Sequence, residues 1–306
     1  MQGKYLNPKA DVTFRRVFGE HPDLVMSLLN ALLPLDDSQQ IQQVEYLTPE
    51  MVPDNPGKKN SIVDVRCKDT LGRQFIVEMQ MRSNYVRLLL GGRKNWNDEF
   101  KQRVVLNASK AVVKQLDKGE DYSLIHPVYS LNLINDTGFE SGPDEFYHDY
   151  AIVNVAHTDR IIEGLRFVFV ELPKFKPQSI MEKKMAVLWL RFLTEIDKTT
   201  EEAPAELLEN PETNKALQIL EKSAYDEAQL YAYERFWDAV AVEKSVFRGG
   251  YAKGREEGRA EGRAEGREEG RAEERLANAR SLKENGVDIA VIAKSLGLTP
   301  EEVAHL

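Results

Sequence analysis

Asp64 and Glu78 sit in the stretch SIVDVRCKDTLGRQFIVEMQ (61–80), each among residues that a folded protein buries. The stretch reads as two alternating runs joined by Thr70-Leu71-Gly72, a three-residue turn with glycine in the left-handed position and Asp69 at its start. In that register Asp69 faces Arg73, Lys68 faces Gln74 and Arg66 faces Ile76. Continued, it sets Asp64 opposite Glu78 and Ile62 opposite Gln80. Side chains two apart on a strand share a face, so Asp64, Glu78 and Gln80 are expected on one patch. Facing carboxylates repel and weaken a sheet, so the pair calls for a shared proton or a cation. Oxygen-only donors favour Mg²⁺ or Mn²⁺ over zinc. Such an ion polarises a phosphoryl oxygen and generates a nucleophile from water at neutral pH. The competing reading is a wet sheet face on which Arg66 or Arg82 neutralises the acids.

The elements that must position these residues follow from hydrophobic spacing. Phe14, Val17, Phe18, Leu24, Val25, Leu28, Leu29 and Leu32 recur at helical intervals, with Gly19 a break between two helices. A short strand is expected at 41–47, and the proline-rich run 48–60 reads as a loop. A long helix is expected over 95–122, capped by Asn97 or Asp98 and stopped at Gly119. On it Arg103, Asn107, Lys110 and Lys114 form one polar stripe that could meet phosphates or simply face solvent. Residues 126–135, 148–157 and 165–172 read as strands, and from about 180 onward the pattern is helical. The order of elements predicts an α/β core with a C-terminal helical extension.

We divide the chain into an α/β core (1–178), a helical extension (179–250), a Gly-Arg-Glu repeat (251–275) and a small helical tail (276–306). The repeat sets Gly254, Gly258, Gly262, Gly266 and Gly270 at a period of four, suiting either a linker or a closely packed helix. Thr299 with Glu302 makes a capping box opening the last helix. The tail has helix-turn-helix cadence, but it is too short and too acidic to read DNA.

Composition narrows the classes. Hydrophobic residues make up 42% of the chain, enough for a packed core, and no apolar run is long enough to span a membrane. A single cysteine, Cys67, excludes an internal disulfide and a cysteine-built zinc site. A soluble cytoplasmic protein is the expectation. The net charge of −9 argues against a general polyanion-binding coat, yet residues 66–118 hold 12 Lys and Arg against 5 Asp and Glu. That contrast fits a restricted polyanion site.

Three blocks in order, KADVTFRRVFG (9–19), IVDVRCKDTLGRQFIVEMQ (62–80) and QLDKGEDYSLIHPVYSLNLI (115–134), resemble the Rpn family of recombination-promoting nucleases, also known as PD-(D/E)XK nuclease family transposases. The resemblance implies a restriction-endonuclease-like core and metal-dependent cleavage of DNA phosphodiesters. It makes Asp64 and Glu78 catalytic metal ligands, with Asp11 on the first helix as a further carboxylate. Gln80 stands where the wider signature has lysine, and glutamine can place a water but brings no charge. Where the family commonly carries tyrosines after the helix arginine, this chain reads QRVVLNASK (102–110), so no tyrosine role carries over.

Three functions compete. The first is a Mg²⁺-dependent DNA endonuclease of low sequence selectivity, with Asp64 and Glu78 on the metal, Gln80 on the water, and Arg103, Lys110 and Lys114 on the DNA backbone. The second is a DNA-binding or regulatory protein that keeps the fold without the chemistry. A true transposase, the third, needs strand joining, for which no residue argues. Self-association through the C-terminal helical region, with an apolar stripe of Phe236, Trp237 and Val240, would bring two sites to the two strands of a duplex.

Overall fold

A computed structural model of the chain describes residues 3–51, 61–81, 96–136, 139, 142, 144–176 and 184–306. The chain falls into two compact units, Met1–Ser245 and Val246–Leu306.

The first unit opens with helices α1 (Asp11–Phe18) and α2 (Pro22–Leu32). Pro22 stands at the first helical position of α2, where its missing N–H costs nothing. Both helices bury one apolar stripe, Phe14, Val17 and Phe18 in the first and Leu24, Val25, Leu28, Leu29 and Leu32 in the second.

The strands are β1 (Val44–Tyr46), β2 (Glu50–Met51), β3 (Ser61–Ile62), β4 (Val65–Asp69), β5 (Gln74–Gln80), β6 (Val128–Ile134), β7 (Tyr147–Asn154) and β8 (His157–Glu171). Six of them form a mixed sheet in the order β1-β4-β5-β6-β8-β7. Strands β5, β6 and β8 run parallel, while β4 and β7 pair antiparallel to their neighbours. Helix α3 (Trp96–Val113) lies between β5 and β6 in the chain, as a parallel pair requires of its crossover.

The largest core lies on one sheet face. Phe75, Val77, Leu131, Val168 and Val170 meet α1, α2 and α4 (Lys184–Glu195) there, around edge-on contacts among Phe18, Trp189 and Phe192. Helices α5 (Ala205–Glu209) and α6 (Pro211–Leu220) add Leu207, Ala216, Leu217 and Leu220 to that core, so the helices after residue 178 pack with the sheet. On the other face α3 buries Phe100, Val104, Ala108 and Ala111, and Asn107 is the polar residue on that buried stripe.

Helix α3 is shorter than the expected 95–122. After Val113 the side chain of Gln115 bonds both the N–H and the C=O of His126, at 2.8 and 3.0 Å, returning the chain towards β6. Gly119, at φ 98°, therefore turns the loop and does not end the helix. Asn97 lies outside the residues whose side chains are described, as do Arg82 and positions 52–60 of the proline-rich loop.

Helix α7 (Glu227–Glu284) contains the whole Gly-Arg-Glu repeat, so of the two states left open the helix is the one found. Near its start, Phe236 and Trp237 pack with Tyr225 and Tyr233 against Leu6 and Ala10. Of the apolar stripe expected to serve self-association, Phe236 and Trp237 are thus packed inside the chain. In the second unit α8 (Ile289–Leu296) and α9 (Pro300–Ala304) bury Ile292, Ala293 and Val303 with Ala279. The Thr299–Glu302 capping box is present.

Candidate active site

The hairpin of β4 and β5 has the expected register: Arg66 pairs with Ile76 and Lys68 with Gln74. Asp69 fixes its turn. One carboxylate oxygen accepts the N–H groups of Leu71 and Arg73 at 3.0 and 2.9 Å, and the other lies 2.7 Å from Arg73 Nε. The regular ladder ends at Val65 and Val77, one step short of Asp64 and Glu78. There the chain bends: Val63 N–H bonds to Pro49 O, and Asp64 Oδ2 accepts the N–H of Met79 at 2.7 Å. Ile62 consequently pairs with Glu50 in a separate two-stranded ladder and does not face Gln80, correcting the expectation. A carboxylate has taken a backbone donor that a continuing strand would have used, and the strand breaks where the acid begins.

Glu78 and Gln80 lie in the C-terminal half of β5, where an open α/β sheet presents ligand sites. Strand β5 is also where pairing switches from antiparallel to parallel. Glu78 is buried, and its Oε1 accepts from Asn107 Nδ2 at 2.8 Å. Arg103 Nη2 lies 2.5 Å from Gln80 Oε1 and 3.6 Å from Glu78 Oε2. Asp64 and Gln80 line a cleft of about 400 Å³ together with Lys9, Asp11, Met79, Phe236 and Val240. One wall of this cleft therefore comes from α7, more than 150 positions along the chain. Lys9 reaches away from the acids, its Nζ donating to Leu193 O at 2.8 Å.

Asp11 is tied to Arg15, one helical turn on, at 2.8 Å from Nε, an ion-pair contact without hydrogen-bond alignment. The same guanidinium reaches Asp64 Oδ1 at 3.5 Å. Of the other expected residues, Lys110 Nζ bonds Ser61 Oγ at 2.6 Å, and Lys114 is exposed just beyond the end of α3. Arg66 hydrogen-bonds Gln74 at 2.8 Å, so it does not neutralise the acids.

The electrostatics are those of carboxylates held partly against their charge. Burial pushes the Asp64 carboxyl above its ordinary range; the Met79 N–H works against this, the Asp11 carboxylate adds to it, and Arg15 opposes it. Burial likewise raises Glu78, with Arg103 and Asn107 opposing and Asp64 adding. Groups in this condition gain from an added cation. Among the described residues no three His, Cys, Asp or Glu side chains form a cluster able to hold a metal by themselves. The two carboxylates nevertheless suit a hard cation, since Mg²⁺ is commonly held by one or two carboxylates and takes its remaining oxygens from water and phosphate.

Sequence reasoning did not single out Arg15, although its spacing of four from Asp11 on a helix was the available signal. It grouped Asn107 with a polar stripe that could meet phosphates or face solvent. The α7 wall had no local signal.

A mixed sheet with a parallel centre and helices on both faces is consistent with a nuclease-like α/β fold. The sequence matches the PD-(D/E)XK nuclease family transposases over residues 8–248, and the chain belongs to that family. Neither a curated protein nor a solved structure matches it. Membership points to nuclease-type function. Among the described residues no helix is long and apolar enough to cross a membrane.

Proposed function

We propose that the protein is a divalent-metal-dependent DNA endonuclease that hydrolyses phosphodiester bonds with little sequence preference, in the service of recombination or mobile-element movement. The observation that carries the reading is the pair of Glu78, buried on β5, and Asp64, half-buried just before β4, both raised in proton affinity. Asp64 and Glu78 would hold Mg²⁺ or Mn²⁺, with Asp11 as an outer carboxylate. When bound, the ion polarises a phosphoryl oxygen and lowers the barrier to attack by water. The Met79 N–H and Asn107 fix the two carboxylates in orientation, so the pair needs little rearrangement on loading. Gln80 offers its amide to orient a water. Lys110 and Lys114 extend the positive surface along α3 for the DNA backbone, a contact that carries no sequence information. Self-association through the C-terminal helical region would supply a second active site for the opposite strand. A cytoplasmic setting suits this chemistry.

A DNA-binding protein without catalysis is the second reading, favoured by the neutral Gln80 where the wider signature has lysine. Supercoiled plasmid incubated with Mg²⁺ or Mn²⁺ separates the two. Metal-dependent nicking by the wild type, lost in Asp64→Ala and in Glu78→Ala, is the expected result. Equal survival of plasmid in all three favours the binding protein. Equal cutting by all three removes the site assignment.

A further inference from the structure

We infer that Arg103 supplies from α3 the positive charge that Gln80 does not bring, so that two residues divide the work of one lysine. The inference rests on the nuclease reading above and adds a residue to it.

Arg103 Nη2 donates to Gln80 Oε1 at 2.5 Å and stands 3.6 Å from Glu78 Oε2, so one guanidinium edge spans both polar residues at the end of β5. The group is not a loose surface charge. Its Cζ lies 5.0 Å from the centroid of the Phe100 ring, one helical turn earlier. Phe100 is itself buried and set edge-on against Phe139 and Phe169, at 6.2 and 6.0 Å. A guanidinium lying over an immobile ring and anchored at one edge is held before substrate arrives. The side chain is nevertheless 48% exposed, and Arg103 makes no further hydrogen bond among the described residues. Its remaining N–H donors have no partner among the described residues.

Charge decides what such a group does. Hydrolysis of a phosphodiester concentrates negative charge on the phosphoryl oxygens as water adds and the ester oxygen leaves. A fixed cation beside them stabilises that state more than the ground state. Gln80 is neutral and cannot contribute this. Arg103 is permanently charged and presents a planar fork that matches two phosphoryl oxygens, but it holds its protons too tightly to act as an acid or base. Gln80 is left to orient the water. Lys110 Nζ is held at Ser61 Oγ and not at Gln80 or Glu78.

The test uses the full-length protein, supercoiled plasmid and Mg²⁺ for steady-state kinetics, and a fluorescent duplex oligonucleotide without metal for affinity. Arg103→Gln is expected to lower kcat by about 10²–10³-fold, the usual loss for one charge-stabilising donor. KM and duplex affinity should stay within about threefold. Adding Gln80→Lys to Arg103→Gln should recover at least about tenfold of the lost kcat, because the charge returns from β5. A thermal melt checks folding. If Arg103→Gln does not melt cooperatively, Arg103→Lys against Arg103→Met carries the contrast, since both keep a stem over Phe100 and only one keeps the charge. Weakened duplex affinity with unchanged kcat would make Arg103 a tether to the backbone and overturn the inference. So would an active wild type whose Arg103 variants match it, or a lost kcat that Gln80→Lys leaves unrecovered. A wild type inert with every metal would instead remove the nuclease reading, and this inference with it.

Discussion

At Asp64 and Glu78 the fold holds two carboxyls at the expense of stability. Both carboxyls have their proton affinity raised in the folded protein, chiefly by burial. Between the ordinary carboxylate range and those raised values, the folded state binds more protons than the unfolded state. Stability of the metal-free protein therefore falls as pH rises through that window. Removing one charge should relieve that loss. Glu78→Gln keeps an acceptor for Asn107 and is expected to raise the Tm of the metal-free protein above that window, with the gain over wild type shrinking as the pH is lowered through it. Added Mg²⁺ should reverse the order, because a ligand at a hundred times its Kd stabilises by about 2.7 kcal/mol and only the wild type keeps both carboxylates. For a protein of this size each kcal/mol moves Tm by about 2–4 °C, well within reach of differential scanning fluorimetry. A wild type whose Tm ignores both Mg²⁺ and Mn²⁺ would count against metal ligation. The types and spacing of Asp64, Glu78 and Gln80 were legible in the sequence because all three lie on one local hairpin. The partners that orient and neutralise them were not. Asn107 and Arg103 come from the crossover helix, and a helix stripe read without its neighbours gives no sign of which side faces an acid.

At the scale of the element, the hairpin turn carries the register on which the acid pair depends. Gly72 has φ 80°, a conformation that L side chains rarely adopt, and a Cβ placed there would fall 2.5 Å from the His126 ring. Backbone strain and a clash with a neighbouring loop thus act on the same atom. Gly72→Ala is expected to destabilise by about 1–3 kcal/mol, read from the urea midpoint at unchanged slope. If His126 shifts to make room, its bonds with Gln115 are the contacts at risk. A variant as stable as wild type would show that the turn does not set the register. This turn was readable because Asp69 and Gly72 each state a local backbone requirement. The break at Val63 and Asp64 was not, because it depends on Pro49 and Met79 arriving from other segments. The early end of α3 has the same origin: 95–122 reads as a helix, and a side chain of that segment bonding His126 cuts it short. Alternation and helical spacing reveal elements, whereas their ends are fixed by tertiary partners that have no local signature.

For the molecule as a whole, the two units rest on very different amounts of core. The first buries aromatic and aliphatic side chains on both faces of a six-stranded sheet. The second buries Ala279, Ile292, Ala293 and Val303. At roughly 1.5–3 kcal/mol for a large buried aliphatic side chain, such a core sits near the margin for independent stability. The repeat does not help it. A Cβ added at Gly258, Gly262, Gly266 or Gly270 would meet nothing within 4 Å, so these glycines serve no close approach inside the chain. Each costs the helix about 1 kcal/mol relative to alanine. A helix that is this exposed and this rich in glycine gains most from support outside its own chain, and a second copy is the support assumed in the proposed function. A chain ending at Ser245 should keep the cooperative melt of the first unit, which contains Asp11, Asp64, Glu78 and Arg103. In light scattering its mass should fall to that of a monomer, while the full-length protein runs as a multiple. Cleavage of one strand would continue in the shortened protein, and paired cuts across a duplex would become rarer relative to nicks. Equal oligomeric state before and after truncation would remove the tail from self-association and leave the active site as proposed. Loss of folding in the shortened chain would show instead that the first unit needs residues beyond Ser245.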